Sequence, residues 1–207
     1  MNALFGKLAC VKTKEKAAGG PDTRTRIVRT ASRLMQRQGY DGTGIKQISQ
    51  EAEATLGSVY HFFPGGKQEL AVAAIRHGDE EFVHELSAAL DSEEDPAAAV
   101  LALSASIAAG LRASDWIDGC PITTTSLGTA GRVPDIQEAA AAAFARWRGL
   151  VHDKLRASGI AEEDAHALAH TVISTLEGAE LASQVSRSVE PLEIAGRHLA
   201  RLIALHR

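Results

Sequence analysis

Thr55, Gly57 and Ser58 stand at the head of a short segment, Leu56 to Phe62 or Phe63, which Pro64-Gly65-Gly66 must end. Slim polar side chains at the start of a short helix let its backbone approach a DNA major groove, where hydroxyls reach base edges. Tyr60 and His61 fall one turn further on, suited to phosphates or base edges, while Val59, Phe62 and Phe63 turn toward a core. Lys67 opens the next helical stretch, where its ammonium and the free backbone N–H groups suit a phosphate. Leu56 either touches a thymine methyl or contributes nothing to sequence reading. With Thr43 and Lys46 from the preceding helix, these residues form the expected DNA-contacting set.

The elements that must position them follow from periodicity. A helix starts at about Asp22 or Thr23, with Ile27, Ala31, Leu34 and Met35 on one stripe, and Gly39 ends it. Thr43 or Gly44 then caps a short helix, Ile45 to Ala52, whose Ile45, Ile48 and Ala52 share a face. A break at Glu53-Ala54 precedes Thr55, the N-cap of the next short helix, and two short helices joined by a tight turn spell helix-turn-helix. A longer helix from Lys67 to about Leu90 leads into the second half. There the spacing predicts helices from Pro96 to about Ala113, from Pro134 to Ser158, from about Glu162 to Ser186 and from Pro191 to Leu205. Asp115 to Gly131, between the first two, is read as irregular or broken helix.

Of the 207 residues 37 are Ala and only 4% are aromatic, which predicts an all-α protein. Residues 1–78 hold 12 Lys and Arg against 6 Asp and Glu, and residues 79–207 hold 10 against 20, so the halves carry +6 and −10. A basic half joined to an acidic one suggests a module that meets a polyanion and a module with another task. The longest apolar-leaning uncharged run, Ala97 to Leu111, has 15 residues, short of the ~20 that cross a bilayer, and no membrane partner is expected. Cys10 and Cys120 are far apart with no Cys/His cluster around either, so neither a disulfide framework nor a metal site is indicated, and a cytoplasmic location is expected. No GxSxG elbow, HExxH or phosphate loop is present, and the chain is read as neither an enzyme nor a cofactor carrier.

Gly39-Tyr40-Asp41-Gly42-Thr43, the apolar spacing through Ile48, and Gly57-Ser58-Val59-Tyr60-His61-Phe62-Phe63-Pro64 resemble the signature of the TetR family of transcriptional regulators. Phe63-Pro64-Gly65-Gly66-Lys67-Gln68-Glu69-Leu70, with Gly119-Cys120-Pro121 downstream, is similar to the family's LmrA/YxaF branch. Two positions depart from the pattern: Leu56 replaces a long polar or basic residue, and Glu53 stands at a turn where the family usually carries Gly. The resemblance implies an all-α homodimer with an N-terminal three-helix helix-turn-helix domain and a C-terminal ligand-binding and dimerisation domain. Residues 1–21 are then a flexible basic arm, 22–75 the DNA-binding domain and 76–207 the remainder.

The implied function is a ligand-responsive repressor that holds a pseudo-palindromic operator in double-stranded DNA and lets go when a small apolar or aromatic effector binds. The alternative is a helical interaction protein with a decayed or nonspecific DNA-binding module. Expected pocket residues are Trp116, Ile117, Cys120, Ile122 and Leu127 on the broken stretch, with Phe144, Trp147 and Val151 on the helix after Pro134. Leu168, Val172, Leu176 and Ala179 on one helix, with Leu199, Leu202 and Ile203 on the last, are the expected dimer seam.

Overall fold

The Asp22 carboxylate accepts the Thr25 amide at 2.7 Å and so caps helix α1, Thr23–Gly42, the first element of a computed structural model that describes residues 22–206. Gly39 interrupts α1 with φ 69° and ψ 174°, a conformation open to a residue without Cβ. The chain thus ends its regular helix at Gly39, as the spacing predicts, and adds one further turn before Thr43. Gly44 is the N-cap of α2, Ile45–Glu51. Helix α3, Leu56–Phe62, is capped by Thr55, whose Oγ1 accepts the Ser58 amide at 3.0 Å. Between α2 and α3, Glu53 sits at φ 50°, the left-handed region where glycine costs least. Ile27, Ala31, Met35, Ile48, Val59 and Phe63 close the core behind these three helices.

Helix α4, Gly66–Ser92, packs against α1, α5 and α7. The remaining helices are α5 (Pro96–Ala113), α6 (Pro121–Leu127), α7 (Pro134–Ala157), α8 (Glu162–Ser186) and α9 (Glu190–Ala204). Proline occupies the first turn of α5, α6, α7 and α9, where a missing N–H costs nothing. The stretch read as irregular or broken helix contains one two-turn helix, α6. Asp115 and Trp116, at φ 53° and 66°, turn the chain sharply before it. By length and hydropathy α5 passes for a membrane span, yet half of it is buried against α4, α8 and α9, so its apolar surface belongs to the core. Among the described residues there is no strand. The expected basic arm, residues 1–21, lies outside the described residues.

The expected dimer seam is corrected by this packing. Leu168, Val172, Leu176 and Ala179 on α8, and Leu199 and Ile203 on α9, are buried within the protomer, and Leu202 is partly buried. Helix α9 lies on α5 and α8, and α8 lies on α7, so these neighbours cover the stripe. Helical periodicity finds an apolar stripe without saying whether the same chain or a second copy covers it. On these two helices and at their end, the large apolar residues left exposed are Leu181 (55%) and Val185 (78%) on α8, Ile194 on α9, and Leu205 just beyond it.

Candidate DNA interface and effector cavity

Helix α3 divides its residues cleanly. Val59 and Phe63 are buried one turn apart, while Thr55, Leu56, Gly57, Tyr60 and His61 are exposed and Ser58 is half-buried. Thr55 and Ser58 hydroxyls lie 2.9 Å apart, which orients both at the helix start. A Cβ on Gly57 would meet nothing nearer than the Thr55 Oγ1 at 3.7 Å, so the glycine keeps this surface low rather than relieving a contact. Lys46 is exposed on α2.

Thr43 departs from the expected set. It is fully buried, and its hydroxyl donates to the Gly39 carbonyl at 2.8 Å, closing the kink that α1 needs. It supports the unit and cannot touch DNA. Lys67 places its Nζ 4.3 Å from the centre of the Tyr40 ring, and burial lowers its pKa somewhat. The ammonium thus has an aromatic resting place next to the surface that α3 presents.

A cavity of about 560 Å³ opens between α1, α4, α5, α7, α8 and the α5–α6 connection. Of the residues expected to line it, Cys120 and Trp147 do. Trp147 is buried, with its ring 4.4 Å from that of Phe82 and 4.9 Å from that of Phe144, and its indole N–H donates to the Asp79 carboxylate at 2.8 Å. Ile122 and Val151 are buried in the packed core instead, and Phe144 packs behind Trp147. Leu127 is 67% exposed and Ile117 49% exposed, so both face solvent, and Trp116 is half-buried outside the cavity. The apolar wall comes instead from Phe82 on α4 and from Ile107 and Leu111 on α5.

The polar wall was not anticipated from the sequence. Glu85, Glu177 and Glu180 line the cavity together with the Cys120 thiol. Glu85 accepts from the Ser106 hydroxyl at 2.6 Å, and Glu177 from the Thr123 hydroxyl at 2.7 Å. Burial, with the nearby charges of Glu177 and Glu85, pushes Glu180 up to about 8. Burial also raises Glu177, and it pushes the Cys120 thiol well up, with the Glu177 and Glu180 charges adding to the rise, which disfavours the reactive thiolate. The signal available in the sequence was Glu177 and Glu180 spaced three apart on a mostly apolar helix, a pattern easily taken for a solvated face.

The α5–α6 connection ties the cavity to the N-terminal helices. Gln36 on α1 donates to the Gly119 carbonyl at 2.6 Å, and Arg37 grips Asp118 through two hydrogen bonds of 2.5 and 2.8 Å. From the opposite side, Gln184 on α8 donates to the Ile117 carbonyl at 2.9 Å. Gly78 of α4 comes so close to α6 that a Cβ there would lie 2.9 Å from Cγ of Pro121. Residues 114, 118, 119, 120 and 121 are also wall residues of the cavity. One segment therefore touches the cavity, α1, α4 and α8.

Two family models match the chain. Residues 27–74 match the model of bacterial regulatory proteins of the tetR family, and residues 96–198 match the C-terminal domain of LmrA/YxaF-like transcriptional regulators. The HTH-type transcriptional regulator YxaF of Bacillus subtilis is 32% identical over 182 residues, covering 88% of this chain and 95% of that protein. LmrA of the same organism is 32% identical over 171 residues, 83% of this chain and 91% of its own. A TetR transcriptional regulator from Chloroflexus aurantiacus, known from its crystal structure, superposes with a TM-score of 0.73 at 28% identity over 88% of this chain and 94% of its own. The exposed face of α3, the helix-turn-helix that carries it and these similarities agree: the chain belongs to the TetR family of DNA-binding transcriptional regulators, in its LmrA/YxaF-like branch, and is not an enzyme.

Proposed function

We propose that the protein is a ligand-responsive repressor that holds a pseudo-palindromic operator as a homodimer and releases it when a small molecule enters the cavity beside Trp147. The observation that carries this reading is the double attachment of the α5–α6 connection: its Asp118 and Gly119 are cavity wall and are also bonded to Arg37 and Gln36 of α1. A ligand that displaces this wall must strain or break those bonds, and α1 moves with α2 and α3 as one packed core. Helix α4, which packs on both α1 and α7, provides a second rigid connection. In this reading residues 22–75 read DNA in the cytoplasm and the rest of the chain binds ligand and dimerises. Thr55, Gly57, Ser58, Tyr60 and His61 address the major groove, with Lys46 and Lys67 beside the phosphates.

Dimerisation is assigned to the exposed face of α8 and α9. Gly178, above which a Cβ would meet nothing within the protomer, continues along α8 to Leu181 and Val185, and Ile194 is exposed on α9. Two recognition helices about 34 Å apart, as adjacent major grooves require, need such a pairing. Val185→Glu is expected to convert the dimer into a monomer in sedimentation at micromolar concentration and to weaken operator binding at least a hundredfold. A dimer that persists would move the interface elsewhere.

The decisive test of the whole reading is linkage. DNA selected by the purified protein and sequenced should yield an inverted repeat. Any compound that weakens binding to it must itself be bound more weakly, by the same factor, when operator is present. A recovered pool without an inverted repeat would favour a nonspecific DNA-binding module instead.

A further inference from the structure

The walls of the cavity beside Trp147 carry five carboxylates, those of Glu81, Glu85, Asp118, Glu177 and Glu180, against one guanidinium, that of Arg37. Arg37 is committed to Asp118 through both of its hydrogen bonds. Glu81 lies at the rim, 3.5 Å from the His77 ring on the same helix. That leaves Glu85, Glu177 and Glu180 inside with no cation among the described residues to pair them. Glu85 and Glu177 each accept a hydroxyl hydrogen bond, and Glu177 also takes one from the Cys120 thiol. Glu180 accepts none from any described residue. Part of the same wall is aromatic, with the rings of Phe82 and Trp147 tilted against each other at 4.4 Å.

Carboxylates and ring faces are two surfaces that attract positive charge, the first by Coulomb's law and the second through the ring quadrupole. A bare metal ion does not suit the arrangement, because among the described residues no three His, Cys, Asp or Glu side chains converge closely enough to hold one. A cation whose charge is spread over an apolar body is cheap to dehydrate, and it reaches several separated carboxylates while its body lies on the rings. The volume of about 560 Å³ is that of a site for a drug-sized molecule.

We propose that the effector is a lipophilic organic cation, held between the Phe82–Trp147 ring pair and the carboxylates of Glu177 and Glu180. This rests on the cavity being the effector site, and it replaces a merely apolar or aromatic effector with a charged one. Binding such a cation favours the ionised form of Glu180, so a proton is released on binding as the pH falls below about 8. The groups facing Glu180 are Glu85, Glu177 and the Cys120 thiol, with the Arg37–Asp118 pair at the edge.

The test uses the full chain and three probes of similar shape: tetraphenylphosphonium, its anionic counterpart tetraphenylborate, and neutral triphenylphosphine oxide. Calorimetry at pH 7.5 should give one phosphonium per protomer, bound at least tenfold more tightly than the borate or the oxide, with quenching of Trp147. Glu180→Gln should lower phosphonium affinity at least fivefold while leaving the oxide within twofold, and Glu177→Gln provides the same reading if the first variant fails to fold. Borate or oxide binding as tightly as phosphonium, absence of phosphonium binding, or phosphonium affinity untouched by either substitution overturns the proposal. Operator release is scored separately. An oxide that binds and releases operator, where phosphonium does neither, keeps the effector site and overturns the cation. A phosphonium ion that binds through Glu180 without releasing operator supports the cation class and overturns the effector role of the cavity.

Discussion

The outer face of α3 and the inner wall of the cavity handle polar groups in opposite ways. On α3, Thr55 and Ser58 satisfy the helix start and each other, Tyr60 and His61 stand in solvent, and the apolar residues Val59 and Phe63 are buried behind them. In the cavity the polarity points inward, and partial burial together with the Glu177 and Glu85 charges pushes the Glu180 carboxyl up to about 8. A surface that reads DNA can thus be assembled at almost no cost in stability, because its polar groups are hydrated until DNA arrives. A polar wall inside a helical domain is different, since every buried carboxylate there opposes folding unless it is neutralised or paired. On α3 the exposed side chains and those that hold the core are separate residues, whereas in the cavity wall polar and apolar groups share the interior of the domain.

The strongest way to break this comparison is to cut α3 on its two sides. Phe63→Ala removes a fully buried ring from the core behind the helix-turn-helix and is expected to cost about 3–5 kcal/mol of stability. Tyr60→Ala, three residues earlier and 52% exposed, is expected to leave stability within about 0.5 kcal/mol and to weaken operator binding by roughly 1–3 kcal/mol. Chemical denaturation and operator titration on both variants check the pair. A Tyr60→Ala protein that loses stability like Phe63→Ala would mean that α3 does not separate the two tasks.

A smaller effect sharpens the other side. Glu180 has a folded pKa near 8, above the ordinary carboxylate value of 4.5, so its protonated form favours the folded state. That stability is fully present below about pH 4.5 and is lost as the pH rises through about 8. Glu180→Gln keeps the shape without the ionisation, and at pH 8.5 it is expected to be more stable than the parent by a few kcal/mol, most of that gain being lost by pH 5. Melting curves across that range provide the check. A constant difference at every pH would show that packing, not charge, governs the site.

This contrast explains what could be read from the chain alone. Thr55 as a cap, Gly39 as the end of a helix and the Pro64-Gly65-Gly66 stop are local signals, each decided by residues within one or two turns, and the N-terminal helices follow from them. Glu53 was legible too: a turn that favours glycine forces its residue into the left-handed region, and φ 50° is the result. The cavity depends on which faces of α4, α5, α7 and α8 meet, which no local window contains. Apolarity therefore pointed to Ile117 and Leu127, which face solvent, and passed over Phe82 and three inward glutamates. Leu168 and Val172 misled for the same reason, since a buried stripe and an interface stripe have one periodicity. Thr43 shows the limit even in the N-terminal half, where a polar residue beside a helix start closes a kink instead of meeting DNA.

The smallest effect lies at the border of the two regions. Lys67 is positioned at the start of α4 with its ammonium over Tyr40, and two tasks compete for it. As a packing contact, a half-exposed cation–π pair contributes about 0.5–1 kcal/mol to stability and nothing to DNA. As a phosphate contact, it displaces counterions, so its loss lowers the slope of log affinity against log salt by about one unit and weakens every DNA sequence alike. Burial lowers its pKa while the nearby Asp41 charge raises it. Lys67→Ala is therefore expected to reduce the slope by about one, equally on operator and on random DNA. Operator titrations at four or more salt concentrations measure this directly. An unchanged slope with a lower melting temperature would assign Lys67 to the Tyr40 contact alone, and the DNA-facing surface would then end with α3.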